Sequence, residues 1–147
     1  MPILSGQVVT ADDLNHLKPT TYQARASATL NGIVVNADVV GATITLTTET
    51  DNAVFVVSAA FDFRWTGIAA LTATGNLSVD GVLQSGQAIA GQNPGASADR
   101  MTAGNVWRGT LATAGSHTLK LVGSLPDTDQ HIEQPHTALV VVIYEVV

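Results

Sequence analysis

From Tyr22 onward, side chains of like polarity recur at every second position, the spacing that sends alternate side chains to opposite faces of an extended strand. Tyr22, Ala24, Ala26, Ala28 and Leu30 share one face, and Gln23, Arg25, Ser27 and Thr29 the other. Ala42, Ile44 and Leu46 alternate in the same way with Thr43, Thr45 and Thr47, a β-branched pattern suited to a half-buried pleat. Turn signals punctuate the pattern. Asn31-Gly32 predicts a type I′ hairpin into Ile33-Val34-Val35, Asp51-Asn52 leads into a strand over 54–63, and Asp80-Gly81 closes the strand containing Leu77 and Val79. Strands over 106–112 and 117–122 flank Thr113-Ala114-Gly115-Ser116, and a last strand covers 137–147. Residues 85–104, rich in Gly, Ala, Ser and Asn, read as a long loop. Roughly seven to nine short strands with frequent turns specify an all-β domain, and a sandwich is expected.

Two segments break the alternation. In Val54-Phe55-Val56-Val57-Ser58-Ala59-Ala60-Phe61 both faces are apolar or small, and in Leu139-Val140-Val141-Val142-Ile143-Tyr144 both are strongly apolar. A strand of a two-layer sandwich turns one face to the core and the other to water. When the outer face is also apolar, something must cover it. The N-terminal arm or a long loop could do so, but a second subunit is the better candidate.

Composition points the same way. The 147 residues are 46% hydrophobic and only 12% charged, where about a quarter is usual, so a lone protomer has little charge to keep its surface in water. The net charge of -6, with six scattered Lys and Arg, argues against nucleic acid. Absence of Cys removes disulfides and thiolate metal sites. The start lacks a basic segment followed by an apolar one, so no secretory signal is expected. The longest apolar run, 138–144, is too short for a membrane helix, and no membrane partner is expected.

Residues 1–20 read as a separate arm, with the sandwich domain over 21–147. Thr10-Ala11-Asp12-Asp13 resembles an N-cap with carboxylates at the positive helix end, and Lys18-Pro19 is a stop. One small helix is expected between them, with Leu14 and Leu17 as its apolar stripe. So short a helix does not hold alone and must dock on something.

Residues able to carry chemistry form no recognisable constellation. His117, His131 and His136 could converge on a zinc ion, but their spacing matches no zinc signature; His16 lies apart in the arm. Asp127, Asp129 and Glu133 lack the pattern of a calcium loop, and Asp62, Asp80 and Asp99 cannot be paired from sequence. Trp65, Trp107 and Arg64 could stack a sugar, though packing accounts for two tryptophans equally well. No nucleophile elbow, P-loop or dinucleotide fingerprint occurs. A non-enzymatic protein without cofactors is the expectation.

Several segments, in their order along the chain, resemble a known pattern: Val54 to Ala59, Leu77-Ser78-Val79-Asp80-Gly81, Trp107-Arg108-Gly109-Thr110-Leu111, Gly115 to Leu121, and the Tyr144-Glu145 ending. The pattern is that of compact TNF/C1q-like jelly-roll modules in phage virion proteins. The opening Gly6-Gln7-Val8-Val9-Thr10-Ala11-Asp12-Asp13-Leu14-Asn15 is similar to the start of small virion proteins from tailed phages of actinobacteria. The resemblance implies a TNF/C1q-like jelly roll and a homotrimer whose inner sheet, built from segments 22–30, 53–63 and 137–147, surrounds the three-fold axis. It implies Tyr22, Phe55, Val57, Phe61, Leu139, Val141, Ile143 and Tyr144 as trimer contacts. At 5% aromatic residues the chain departs from the aromatic axis of eukaryotic members, so Val and Ala would line it. The function implied is capsid decoration: a protein made in the host cytoplasm, carried on the capsid surface, and holding the major capsid protein through Val8, Val9, Leu14 and Leu17. The rival readings are a tail-associated receptor-binding tip whose loops contact a glycan and, further off, a histidine-based metalloenzyme.

Overall fold

The computed structural model describes residues 19–68, 71–91 and 99–145. Strand β1 covers Thr20–Arg25, β2 Leu30–Asn31, β3 Val34–Thr48, β4 Ala53–Trp65, β5 Thr72–Val79, β6 Val82–Leu83, β7 Ala88–Gly91, β8 Asp99–Leu111, β9 Gly115–Leu125 and β10 Gln130–Tyr144. They form two antiparallel sheets. Sheet A has the order β1-β10-β4-β8, with β2 also on β10; sheet B has the order β3-β9-β5-β6, with β7 also on β5. From β3 to β4, β4 to β5, β8 to β9 and β9 to β10 the chain changes sheet at each step. That winding, which gives each sheet a partner for its apolar face, is a jelly-roll sandwich.

The alternation read for Ala42, Ile44 and Leu46 is the core phase of β3, while in β4 and β10, where both phases are apolar, the structure decides which is inside. Phe55, Val57, Phe61, Phe63 and Trp65 of β4, with Leu139, Val141 and Ile143 of β10, point between the sheets and meet Val39, Ala42, Ile44 and Leu46 of β3 and Leu77, Leu119 and Leu121 of sheet B. Phe61 stacks on Phe63 at 5.9 Å, and Phe63 lies 6.2 Å from Trp65. Glycines leave room for these large groups, Gly75 across the core from Phe61 and Gly109 beside Phe55 in the same sheet. A Cβ on Gly75 would lie 2.5 Å from the Phe61 ring, and one on Gly109 2.5 Å from Phe55. The hairpin at Asp80-Gly81 has positive φ at both residues (50° and 83°), as a type I′ turn requires.

Several boundaries differ from the sequence reading. The first strand ends at Arg25, because the chain then leaves sheet A and Ser27 donates its amide to Val40 of sheet B. Asn31-Gly32 does not close a hairpin: Leu30–Asn31 pairs with β10, while Val34 begins a strand of the other sheet. The 85–104 stretch holds β7 and the first half of β8, whose small residues still alternate against β5 and β4. The last strand begins at Gln130, and a register shift between Glu133 and Ala138 disguises its first half. The helix expected after Thr10 lies outside the described residues.

Candidate self-association surface

The outer face of sheet A can be read rung by rung from its register. The first rung is Tyr144–Val54–Thr110, the second Thr21–Val142–Val56–Arg108, the third Gln23–Val140–Ser58–Val106 and the fourth Arg25–Ala138–Ala60–Gly104. Past the irregularity in β10 come Glu133–Asp62–Thr102 and His131–Arg64–Arg100. The face therefore passes from an apolar half, through a band of small residues, to a charged half.

In the apolar half Val106 is 61% exposed, Tyr144 44% and Val140 39%, and Val54, Val56 and Val142 are half-buried. An open depression of about 420 Å³ lies between Val54, Val56, Arg108 and Tyr144. Contiguous aliphatic surface of this kind marks a contact site, because water around it is released when it is covered. Ala138, Ala60 and Gly104 beside it would let another backbone approach closely.

The charged half is internally satisfied. Arg100 donates from Nε to Oδ1 of the fully buried Asp62 at 2.8 Å and from a terminal nitrogen to Oδ2, and this hydrogen bonding raises its own pKa. Arg64 reaches Glu133 at 2.9 Å, and Glu133 also accepts from Thr29. Arg64 sits opposite Arg100 and Glu133 opposite Asp62, each arginine diagonal to its carboxylate, so the sign of charge changes from one rung to the next along the strands. The Asp62 amide donates to Thr137 Oγ1, which donates to the Glu133 carbonyl and ties the irregular stretch of β10 to β4.

This geometry corrects the expected contact set. Phe55, Val57, Phe61, Leu139, Val141 and Ile143 are between 0% and 3% exposed and fill the protomer's own core, so they have no surface to offer a partner. Tyr22 pairs with Val141 on the same inner face and is half-buried. Only Tyr144 of that set is on the outer face. The outer-face residues that the expected set did not include are Val54, Val56, Val106, Val140, Val142 and Arg108. A signal for them was present: on 53–65 every aromatic shares one phase, while Asp62 and Arg64 share the other with Val54 and Val56. Val8, Val9, Leu14 and Leu17 lie outside the described residues.

The three histidines are not brought together. His131 stands on sheet A, where Nδ1 is 2.6 Å from Asn31 Oδ1, and His136 is exposed in the irregular stretch. His117 is on sheet B, near the end that holds the 112–114 turn. Its Nδ1 lies 2.7 Å from Asp80 Oδ2 and its Nε2 2.8 Å from the Thr113 carbonyl. Both partners are acceptors, so the doubly protonated ring fits best. The Asp80 hydrogen bond raises the His117 pKa, against burial and with help from Thr113. Burial pushes Asp80 up, but the bonds from His117 and the Thr118 amide outweigh it and leave that pKa lowered. Among the described residues no three of His, Asp and Glu form a metal-holding group, and no helix is long and apolar enough to cross a membrane. Trp65 and Trp107 are core residues, the latter donating to the Gly86 carbonyl at 2.9 Å, so they form no sugar platform with Arg64. Asp62 and Asp80 serve Arg100 and His117 on different sheets, and Asp127 accepts the Asp129 amide.

Neither a family model nor a curated protein sequence matches the chain. Solved structures do. Eiger TNF from S. frugiperda superposes over 87% of this chain and 93% of its own, with a TM-score of 0.57 and 9% identity. Murine APRIL superposes over 88% and 100%, with a TM-score of 0.52 and 10% identity. The fold is a TNF-like jelly roll. Latent PorU from Porphyromonas gingivalis overlaps 86% of the chain at a TM-score of 0.46 and 11% identity, but the overlap spans 13% of that protein and carries no argument. At 9% and 10% identity the two TNF-like neighbours establish the fold and nothing finer.

Proposed function

We propose that the chain is a non-enzymatic virion protein of a tailed phage, a homotrimer that decorates the capsid. The observation that carries this reading is the apolar half of the outer face of sheet A, where Val54, Val56, Val140, Val142, Val106 and Tyr144 lack a cover among the described residues. Such a face is stable when other copies bury it, and a ring of copies needs only one repeated contact. The virion setting rests on the resemblance of residues 6–15 and of the later segments to phage virion modules. In this reading residues 1–20 hold the major capsid protein through Val8, Val9, Leu14 and Leu17, and three arms per assembly multiply a weak grip into a firm one.

Full-length protein added to undecorated capsids is expected to co-sediment with them and to saturate. Leu14→Asp with Leu17→Asp is expected to reduce that binding at least tenfold, while the native mass at high concentration stays that of wild type. Failure of the wild-type chain to bind capsids, together with adsorption of the free protein to host cells, would replace capsid decoration with the receptor-binding tip.

A further inference from the structure

Asn31-Gly32 has the sequence of a tight turn but closes no hairpin. Asn31 is the last residue of β2, exposed and paired with His131 on the outer face of sheet A. Gly32 follows outside the ladder, at a φ of 84° and with nothing within 4 Å of where a Cβ would stand. No other Asn-Gly pair occurs in the sequence; Asn36, Asn52, Asn76 and Asn105 precede Ala, Ala, Leu and Val. A side chain on the following residue hinders approach of that residue's backbone nitrogen to the asparagine Cγ. Glycine removes the obstacle and leaves the backbone freest to rotate.

The Asn31 amide is oriented at both of its polar atoms. Nδ2 donates to the Thr29 carbonyl at 3.3 Å, and Oδ1 accepts from His131 Nδ1 at 2.6 Å. A donor this close polarises the amide carbonyl and stabilises the oxyanion that forms when a nucleophile adds to Cγ. The nucleophile is at hand, because the Gly32 nitrogen closes a five-membered ring with that carbon. The surroundings also suit the product. One rung reads Asn31–His131–Arg64–Arg100, and Arg64 and Arg100 already hold Glu133 and Asp62 of the next rung, whereas His131 faces a neutral amide. A carboxylate at position 31 turns that contact into a charge-assisted one. Asp80-Gly81 has the same glycine, but its carboxylate is engaged by His117 and the Thr118 amide, and an ionised carboxylate is a poor electrophile.

We propose that Asn31 is a site of self-catalysed deamidation, with His131 as the group that activates its carbonyl. The Gly32 nitrogen adds to Asn31 Cγ, and the new C–N bond replaces the bond to Nδ2. The proton of the Gly32 nitrogen departs with Nδ2 as ammonia. Water then opens the cyclic imide at one carbonyl or the other, giving aspartate or isoaspartate. Each protomer so gains one negative charge at the edge of sheet A without an enzyme, at a rate the fold sets. The isoaspartate also lengthens the backbone where β2 pairs with β10, so the change marks the age of the folded protein. This chemistry does not depend on the trimer or the capsid role.

The test incubates the full-length chain at neutral pH and follows the peptide containing Asn31 by mass spectrometry, with separation of the aspartate and isoaspartate products. Wild type and His131→Phe are each measured folded and in urea. Asn31 is expected to convert faster than any other asparagine of the folded wild type, and at least as fast as in the unfolded chain. His131→Phe is expected to slow conversion of the folded chain about tenfold and to leave the rate in urea unchanged. Equal rates in folded wild type and folded His131→Phe overturn the role of His131. An Asn31 that stays intact in the folded wild type while it converts in urea overturns the proposal outright, and that comparison needs no variant.

Discussion

At the scale of single residues, the packing of this sandwich is decided by where bulk meets its absence. Phe61 and Phe55 are large groups in a chain with few aromatics, and each lies over a glycine on another strand. Gly75→Ala places a methyl group against the Phe61 ring, with no flexible side chain to yield. A destabilisation of about 1–3 kcal/mol is expected in urea unfolding. The glycines were visible in the sequence, but their pairing with particular aromatics was not, because it depends on strand register for Gly109 and Phe55 and on which strands face each other across the core for Gly75 and Phe61. The same limit explains the contact set. Both phases of 54–61 are apolar, so period alone could not say which was inside; bulk on one phase, with Asp62 and Arg64 on the other, could have settled it. Phe61→Ala is therefore expected to cost about 3–5 kcal/mol in the isolated protomer. Val56→Lys is expected to leave protomer unfolding nearly unchanged and to abolish self-association, as read by sedimentation.

Among elements, β3 was legible from its alternation of β-branched residues, and β4 and β10 from apolar, β-branched runs too short for a buried helix. Their ends were not. The irregularity at Glu133/Ala138 shifts the phase of β10, and the low side-chain bulk of 85–104 hides β7 and half of β8. The connection at His117 is a further feature that sequence spacing did not disclose. One imidazole on β9 joins the β5–β6 turn through Asp80 to the β8–β9 turn through Thr113. The folded pKa of His117 is raised, so its contribution is complete below the unfolded value near 6.5 and disappears as pH rises through the higher folded value. That of Asp80 is lowered, so its contribution is present above about 3.8 and disappears as pH falls through the folded value. The stability gap between wild type and His117→Ala is thus expected to be widest between those limits and to shrink by pH 9, in denaturant titrations at matched salt. A gap independent of pH across that range would contradict the clamp.

For the whole molecule, two sheets bury one apolar layer between them, yet sheet A carries a second on its outside. The charged half of that face binds its own charges together, which leaves the valine-rich half without a cover among the described residues. The fold class followed from alternation and turns, whereas the proposed assembly rests on apolar residues that the described sandwich leaves on its outside. The most direct measurement is the native mass of the full-length protein in solution over a wide concentration range. The account predicts a trimer at high concentration that Val56→Lys reduces to a folded monomer. A wild-type chain that remains a soluble monomer throughout would contradict it.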